Sequence, residues 1–363
     1  MSSSNPLVQS YLDAIYVISQ SKNTVEAYLN ALKHLEKFTA LNHECDLESL
    51  LTRIKAEQVD RYKFLREFVV YLSKSGQRST TIKSCIAGVK GFFRHHEVKI
   101  YNEDFRQTVK MPKIIRSSKI PITKDIIVRL LRNSNSRLQT VILIAVASGM
   151  RIGEIVQLRT SDFDFNSNPV KIRVRAEIAK GKQARETFLS SEASLALLDY
   201  LKRTFGWDKN NNQDRLVFVK SNNTKPNVDS IRSSLIYSLK IACEDIEDLA
   251  KRNENGRRAI HFHAFREYFF SVMSNSSGVS FAHALMGHSD YLDTYYVLSN
   301  ERKAQLYRNA EPELTIVDHA EIERKLEENK DLQQKMKTIV YDALGEIFPL
   351  DPRVKSMILN AKQ

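Results

Sequence analysis

Val170-Lys171-Ile172-Arg173-Val174-Arg175 alternates apolar with basic residues, and after Lys180-Gly181-Lys182 the run Glu186-Thr187-Phe188-Leu189 turns extended again. Period-two alternation on both sides of a glycine turn reads as a hairpin with one buried face. Its tip, Lys180-Gly181-Lys182-Gln183-Ala184-Arg185, is basic. On either side the periodicity becomes helical. Helices are expected near 124–133, 136–149 and 191–204, a loop rich in Asn and Asp over 208–214, and mostly helix over 226–310. One hairpin set among helices predicts a mainly α chain with a small β-sheet in its second domain.

The first hundred residues read as helices with short polar turns. Asn23-Thr24-Val25-Glu26 opens one, with Thr24 as cap and Val25, Tyr28, Leu29, Leu32, Leu35 and Phe38 at helical spacing. Another follows Ser79-Thr80-Thr81, its stripe formed by Ile82, Ile86, Val89, Phe92 and Phe93. Lys83, Lys90, Arg94, His95 and His96 share that segment and suit either a solvated face or a row of phosphates. From Lys110 to Pro121, two prolines, two serines and four cations, Lys113 and Arg116 among them, describe an extended basic linker. The expected division is a helical domain with its linker over 1–116, a second domain over 117–317, and a charged tail over 318–363. Ile322, Leu326, Leu332, Met336, Ile339 and Val340 in the tail form a stripe suited to docking on its own domain or on a partner helix.

The chain has 363 residues, 42% of them hydrophobic and 27% charged, enough for two packed domains and unlike a disordered chain or a collagen. No apolar stretch approaches the ~20 residues that span a bilayer, and the N-terminus lacks the pattern of a signal peptide. Cys45, Cys85 and Cys243 are far apart, which argues against a disulfide framework or a cysteine-rich zinc site and for a reducing, cytoplasmic home. A net charge of +12 points first to nucleic acid.

Four clusters could handle a phosphodiester. In Ser148-Gly149-Met150-Arg151-Ile152-Gly153-Glu154 a glycine ends an apolar helix, and Glu154 stands where it can orient the Arg151 guanidinium. The hairpin tip offers Lys180, with Lys182 in reserve, to donate a proton or a charge. In His261-Phe262-His263-Ala264-Phe265-Arg266, His263 and Arg266 share a helical face, an imidazole and a guanidinium for a phosphate whose charge grows in the transition state. Leu285-Met286-Gly287-His288 is followed by Tyr291, Tyr295 and Tyr296, and a phenolate is a capable nucleophile once cations favour its ionisation. Alone, each cluster reads more often as surface or core; their order and spacing together change that.

Taken in order, the four resemble the tyrosine recombinases, the phage-integrase superfamily of the Xer proteins, Cre and lambda integrase. G-M-R-I-G-E supplies Arg151, K-G-K-Q-A-R-E-T-F-L supplies Lys180, H-A-F-R supplies His263 and Arg266, and L-M-G-H supplies His288. T-V-E-A-Y and T-I-K-S-C-I-A-G-V-K-G-F-F resemble the family's helical core-binding, SAM-like domain, so the likeness runs from about residue 8 to 310. The family's usual spacing from this histidine to the nucleophile would land on Val297. A one-residue deletion after Thr294 puts Tyr296 in place, with Tyr295 beside it; Tyr291 is too close and Tyr307 too far. D-T-Y-Y and the later E-L-T-I of 313–316 resemble archaeal integrase-type members.

The resemblance implies a two-domain clamp on double-stranded DNA and a homotetramer exchanging strands through a Holliday junction. Tyr296 would form a 3′-phosphotyrosyl link, Arg151 and Arg266 would hold the phosphate, His263 and His288 would assist, and Lys180 would protonate the leaving 5′-oxygen. Neither metal nor ATP is implied. Lys83, Lys90, Arg94, Lys113, Arg116, Lys182 and Arg185 are the expected DNA contacts. A transposase of the same superfamily would carry the same residues, and a catalytically inactive DNA-binding descendant is the rival from another class. A monomeric type IB topoisomerase fits the matched hairpin and small helical first domain less well.

Overall fold

Capping side chains decide where the first helices begin. The computed structural model describes residues 3–114, 121–207, 213–220, 224–242, 260–288 and 298–316, and the chain divides after Ser118 into two compact units. The first unit contains α1 (Pro6–Ser19), α2 (Lys22–His43), α3 (Leu47–Lys55), α4 (Arg61–Lys74), α5 (Ser79–His95) and α6 (Asn102–Thr108). The cap of α2 is Ser21, whose hydroxyl accepts the Thr24 N–H at 3.3 Å, and not Thr24 itself. The helix therefore starts before the expected Asn23-Thr24 opening, because Ser21 satisfies an N–H that the first turn leaves unpaired. Leu32, Leu35 and Phe38 of α2 bury themselves against Ile86, Val89, Phe92 and Phe93 of α5. Each such side chain is worth roughly 1.5–3 kcal/mol of burial.

The second unit contains α7 (Lys124–Arg132), α8 (Ser136–Ser148), α9 (Ile152–Ile155), β1 (Phe163–Asp164), β2 (Val170–Val174), β3 (Arg185–Leu189), α10 (Ser191–Phe205), α11 (Val228–Ala242), α12 (Phe262–Ser277), α13 (Val279–Met286) and α14 (Asn300–Leu314). Every residue of α8 from Thr140 to Ser148 is buried, as a helix packed on all sides requires. The sheet is antiparallel in the order β1-β2-β3, with Phe163 opposite Ile172 and Val174 opposite Arg185. The two-residue β1, absent from the sequence reading, exists only through its pairing with β2. The hairpin tip is no tight Lys-Gly-Lys turn: residues 175–184 connect the strands, Ala179 is buried, and Lys182 takes a φ of +55°.

The Thr187 hydroxyl of β3 donates to the Ser148 carbonyl at 2.9 Å, and the Tyr307 hydroxyl of α14 donates to the Ala147 carbonyl at 2.7 Å. The C-terminal end of α8 is thus clamped from two sides, just before Arg151. Among the described residues no helix is long and apolar enough to cross a membrane. The stripe expected over 318–340 and most of the expected 208–214 loop lie outside the described residues.

Candidate active site

Arg151 stands where α8 stops. Gly149 caps the helix at a φ of +61°, and a Cβ there would run into the Phe269 ring, so both backbone sign and space call for glycine. The turn delivers Arg151 to the first position before α9, with Glu154 three residues on. The Glu154 carboxylate accepts the Arg151 backbone N–H at 3.0 Å and its Nη1 at 3.3 Å. Glu154 does orient this guanidinium, as the spacing suggested.

The second occupant of that carboxylate corrects the sequence reading. Arg185 was expected to face DNA; instead its side chain is 2% exposed, its Nη2 stands 2.6 Å from Glu154 Oε2, and its Nη1 donates to Oε1 at 3.3 Å. Its Nε donates to the Leu285 carbonyl at 3.0 Å. Arg185 lies opposite Val174 on the inward face of the hairpin, and a bidentate carboxylate in the interior outcompetes water for its fork of donors. Burial works to raise the Glu154 pKa, but the charge and hydrogen bonds of Arg185 and Arg151 prevail and hold it below the ordinary value.

Arg266 closes the arrangement from α12. It is 1% exposed, and its guanidinium donates to the carbonyls of Gly149 and, at 2.8 Å, Met286. Burial, then the charges of Arg151 and Arg185, pull its pKa down to about 9, with Glu154 working the other way; it stays a cation at neutral pH. Its Nη2 is 3.4 Å from His288 Nε2. His288 follows Gly287, whose φ is +75° and whose missing Cβ leaves room for Arg185; a Cβ would lie 2.6 Å from Arg185 Cδ. Burial first, then Arg266, His283, Arg151 and Arg185, hold the His288 pKa below its ordinary value.

Arg151, Arg266 and His288 are therefore brought together, with Glu154 and Arg185 beneath them. Lys180 and His263 are exposed, and His263 Nε2 lies 3.5 Å from Glu267. Lys182 is exposed as well. Tyr291, Tyr295, Tyr296 and Arg116 lie outside the described residues. Tyr307 is fully buried, its hydroxyl bonded to Ala147 and its pKa raised far by burial, with Glu311 adding to it.

In the first unit Lys83, Arg94 and Lys113 are exposed, and Lys90 is half-buried, its Nζ bonded to Asn102 Oδ1 at 3.0 Å and lying 4.2 Å from the centre of the Phe105 ring. Burial, then Arg94 and Arg106, lower the Lys90 pKa, so these cations share one field. Arg106 is a member that the sequence reading did not single out.

Residues 121–302 match the model of the phage integrase family, and residues 8–97 match that of the phage integrase N-terminal SAM-like domain. Tyrosine recombinase XerD of Yersinia pestis is 22% identical over 318 residues, covering 85% of this chain and 98% of its own. A tyrosine recombinase of Thermosipho africanus is 26% identical over 289 residues, covering 74% and 92%. Among solved structures, a lambda integrase dimer (residues 75–356) bound to a COC′ core site aligns with a TM-score of 0.56 at 15% identity, over 78% of this chain and 94% of that one. A lambda integrase tetramer bound to a Holliday junction aligns with a TM-score of 0.55 at 15% identity, over 83% and 76%. At such identity the likeness is one of fold.

Proposed function

The chain belongs to the phage integrase family and is a tyrosine recombinase, and from that premise we propose that it recombines double-stranded DNA at specific sites through a 3′-phosphotyrosyl intermediate. One observation carries the reading: two guanidiniums and an imidazole, Arg151 after α8, Arg266 on α12 and His288 after α13, converge, held by main-chain carbonyls and by the Glu154–Arg185 pair. Such an assembly suits a phosphate that gains negative charge as it is attacked, since its cations are fixed before the substrate arrives.

In the step proposed, the Tyr296 phenolate forms a bond to phosphorus, the bond from phosphorus to the 5′-oxygen breaks, and Lys180 gives that oxygen its proton. Arg151 and Arg266 grip the nonbridging oxygens as planar donors. His288 donates from Nε2, and the exposed His263 assists from the open side. The 5′-hydroxyl of a partner strand then reverses the sequence. The phosphotyrosyl bond conserves the ester's energy, so the reading includes neither ATP nor a metal.

Lys83, Lys90, Arg94, Lys113, Arg116 and Lys182 contact backbone phosphates, and Arg106 joins them; Arg185 does not. By analogy with lambda integrase, a homotetramer exchanges two pairs of strands through a Holliday junction. The protein works on DNA, in the cytoplasm. A plasmid carrying two copies of a site drawn from the flanks of its own gene, incubated with the protein in chelator without ATP, tests this. Resolution into two circles is expected from the wild type and not from Arg266→Lys. Failure to recombine any site that it binds specifically would overturn the reading.

A further inference from the structure

His283 and His288 meet where no straight helix would bring them, since residues five apart sit on different faces. Gly287 ends α13 in the left-handed region, and the His288 N–H returns to the His283 carbonyl at 3.1 Å while the Gly287 N–H returns to Ala284 at 2.9 Å. That pattern folds the residue after the glycine back over the last turn. The two imidazole rings stand 4.7 Å apart, with Nδ1 to Nδ1 at 2.7 Å, and the Phe270 ring backs His283 at 4.6 Å.

Two nitrogens so close share one proton: one carries it and the other accepts. The far nitrogen decides which. His288 Nε2 faces Arg266 Nη2, a group that only donates; the tautomer that satisfies this contact has Nε2 accepting, the His288 proton on Nδ1, and His283 Nδ1 as its acceptor. When a phosphate oxygen enters, His288 donates from Nε2 by taking one more proton from solvent, its Nδ1–H staying on the His283 acceptor. The resulting imidazolium has two N–H groups, and the second keeps its acceptor only because His283 is there.

We propose that His283 is a positioning residue: by accepting the Nδ1–H it holds the His288 ring with Nε2 toward Arg266 and the phosphate, and supports the imidazolium while substrate is bound. The inference rests on the reading of His288 as a donor to the scissile phosphate. The charged and titratable groups acting on His288 are Arg266 from α12, His283 from α13, Arg151 just before α9, and Arg185 from β3. In the free protein burial, then the three guanidiniums and His283, oppose protonation of His288, and the phosphodiester anion relieves the guanidiniums.

Single-turnover cleavage of a nicked site across pH tests this on the full-length wild type, His283→Phe and His283→Gln. Phenylalanine fits against Phe270 but accepts nothing; glutamine can accept through Oε1. The Phe variant should cleave roughly tenfold or more slowly at neutral pH, part of the 10²–10⁴ that a positioned proton donor supplies. The alkaline limb of its profile should move to lower pH, and the Gln variant should recover most of the rate. Nitrogen-15 spectra of the histidine-labelled free protein should show the shared proton on His288 Nδ1. A Phe variant with wild-type rate and profile overturns the inference, as do Phe and Gln variants equally slow with unmoved profiles. A wild type that forms no covalent adduct on a site it binds overturns the proposed function and this inference with it, a result distinct from an active wild type beside an unimpaired Phe variant.

Discussion

Replacing Arg185 with methionine separates a structural cation from a DNA-facing one. In the protein the Arg185 and Glu154 side chains are both 2% exposed and 2.6 Å apart. Truncating one partner of such a pair leaves a buried charge short of its counter-ion, at a cost of about 3–5 kcal/mol, a large share of a typical stability of roughly 5–15. Arg151 remains as a second partner, but its side chain is 31% exposed and its guanidinium reaches Glu154 through Nη1 alone, so it compensates little for the lost charge. Trp207, the only tryptophan, is buried in the core of the second unit, and its fluorescence reports that unit in the intact chain. With an m of about 2 kcal/mol/M in urea, a loss of about 3–5 kcal/mol lowers the midpoint by roughly 1.5–2.5 M. Adding Glu154→Gln should cost less than the sum of the two single changes, because the second removes the stranded charge. A midpoint shift below about 0.5 M, or strict additivity, would refute the argument; weaker DNA binding at unchanged stability would restore Arg185 to the DNA surface.

Gly287→Ala meets a left-handed backbone, φ +75°, and a Cβ position 2.6 Å from Arg185 Cδ; the backbone alone costs about 1–2 kcal/mol, and urea melts should show at least that loss together with impaired cleavage. His288 and His96 both have pKa values held below the ordinary 6.5, chiefly by burial. The folded chain therefore binds fewer protons than the unfolded one below about pH 6.5, and its stability should fall as pH drops through that window. His288→Gln should flatten the slope seen by Trp207. Changing Lys83, Lys90 and Arg94 together to alanine should lower the slope of log affinity against log salt by up to about 0.9 per lost phosphate contact, checked by titration at several ionic strengths.

Residues whose meaning is local were legible. The alternation of 170–175 and the stripes of α2 and α5 became the strands and buried faces they announced, because period and burial are two views of one geometry. Arg151 and Glu154 were readable for the same reason, being three apart across one turn. What escaped depends on contacts made at a distance. A basic residue beside a glycine turn looks like a tip, and only pairing with Val174 shows that Arg185 points inward, to a carboxylate 31 residues earlier. His283 escaped because the helix rule pairs residues three or four apart, and a left-handed glycine was needed to fold His288 onto a residue five behind it. The start of α2 slipped because Ser21 and Thr24 are both good caps and sequence does not rank them.

Covalent chemistry at Tyr296 is best put to the test with a nicked suicide substrate. Wild type, Tyr296→Phe and Tyr295→Phe, incubated in chelator without ATP and resolved on a denaturing gel, give the answer in one lane each. Wild type and Tyr295→Phe should form a protein–DNA adduct that is missing from Tyr296→Phe. An adduct lost only in Tyr295→Phe would contradict the assignment of the nucleophile, and no adduct from wild type on a site it binds would contradict the chemistry itself.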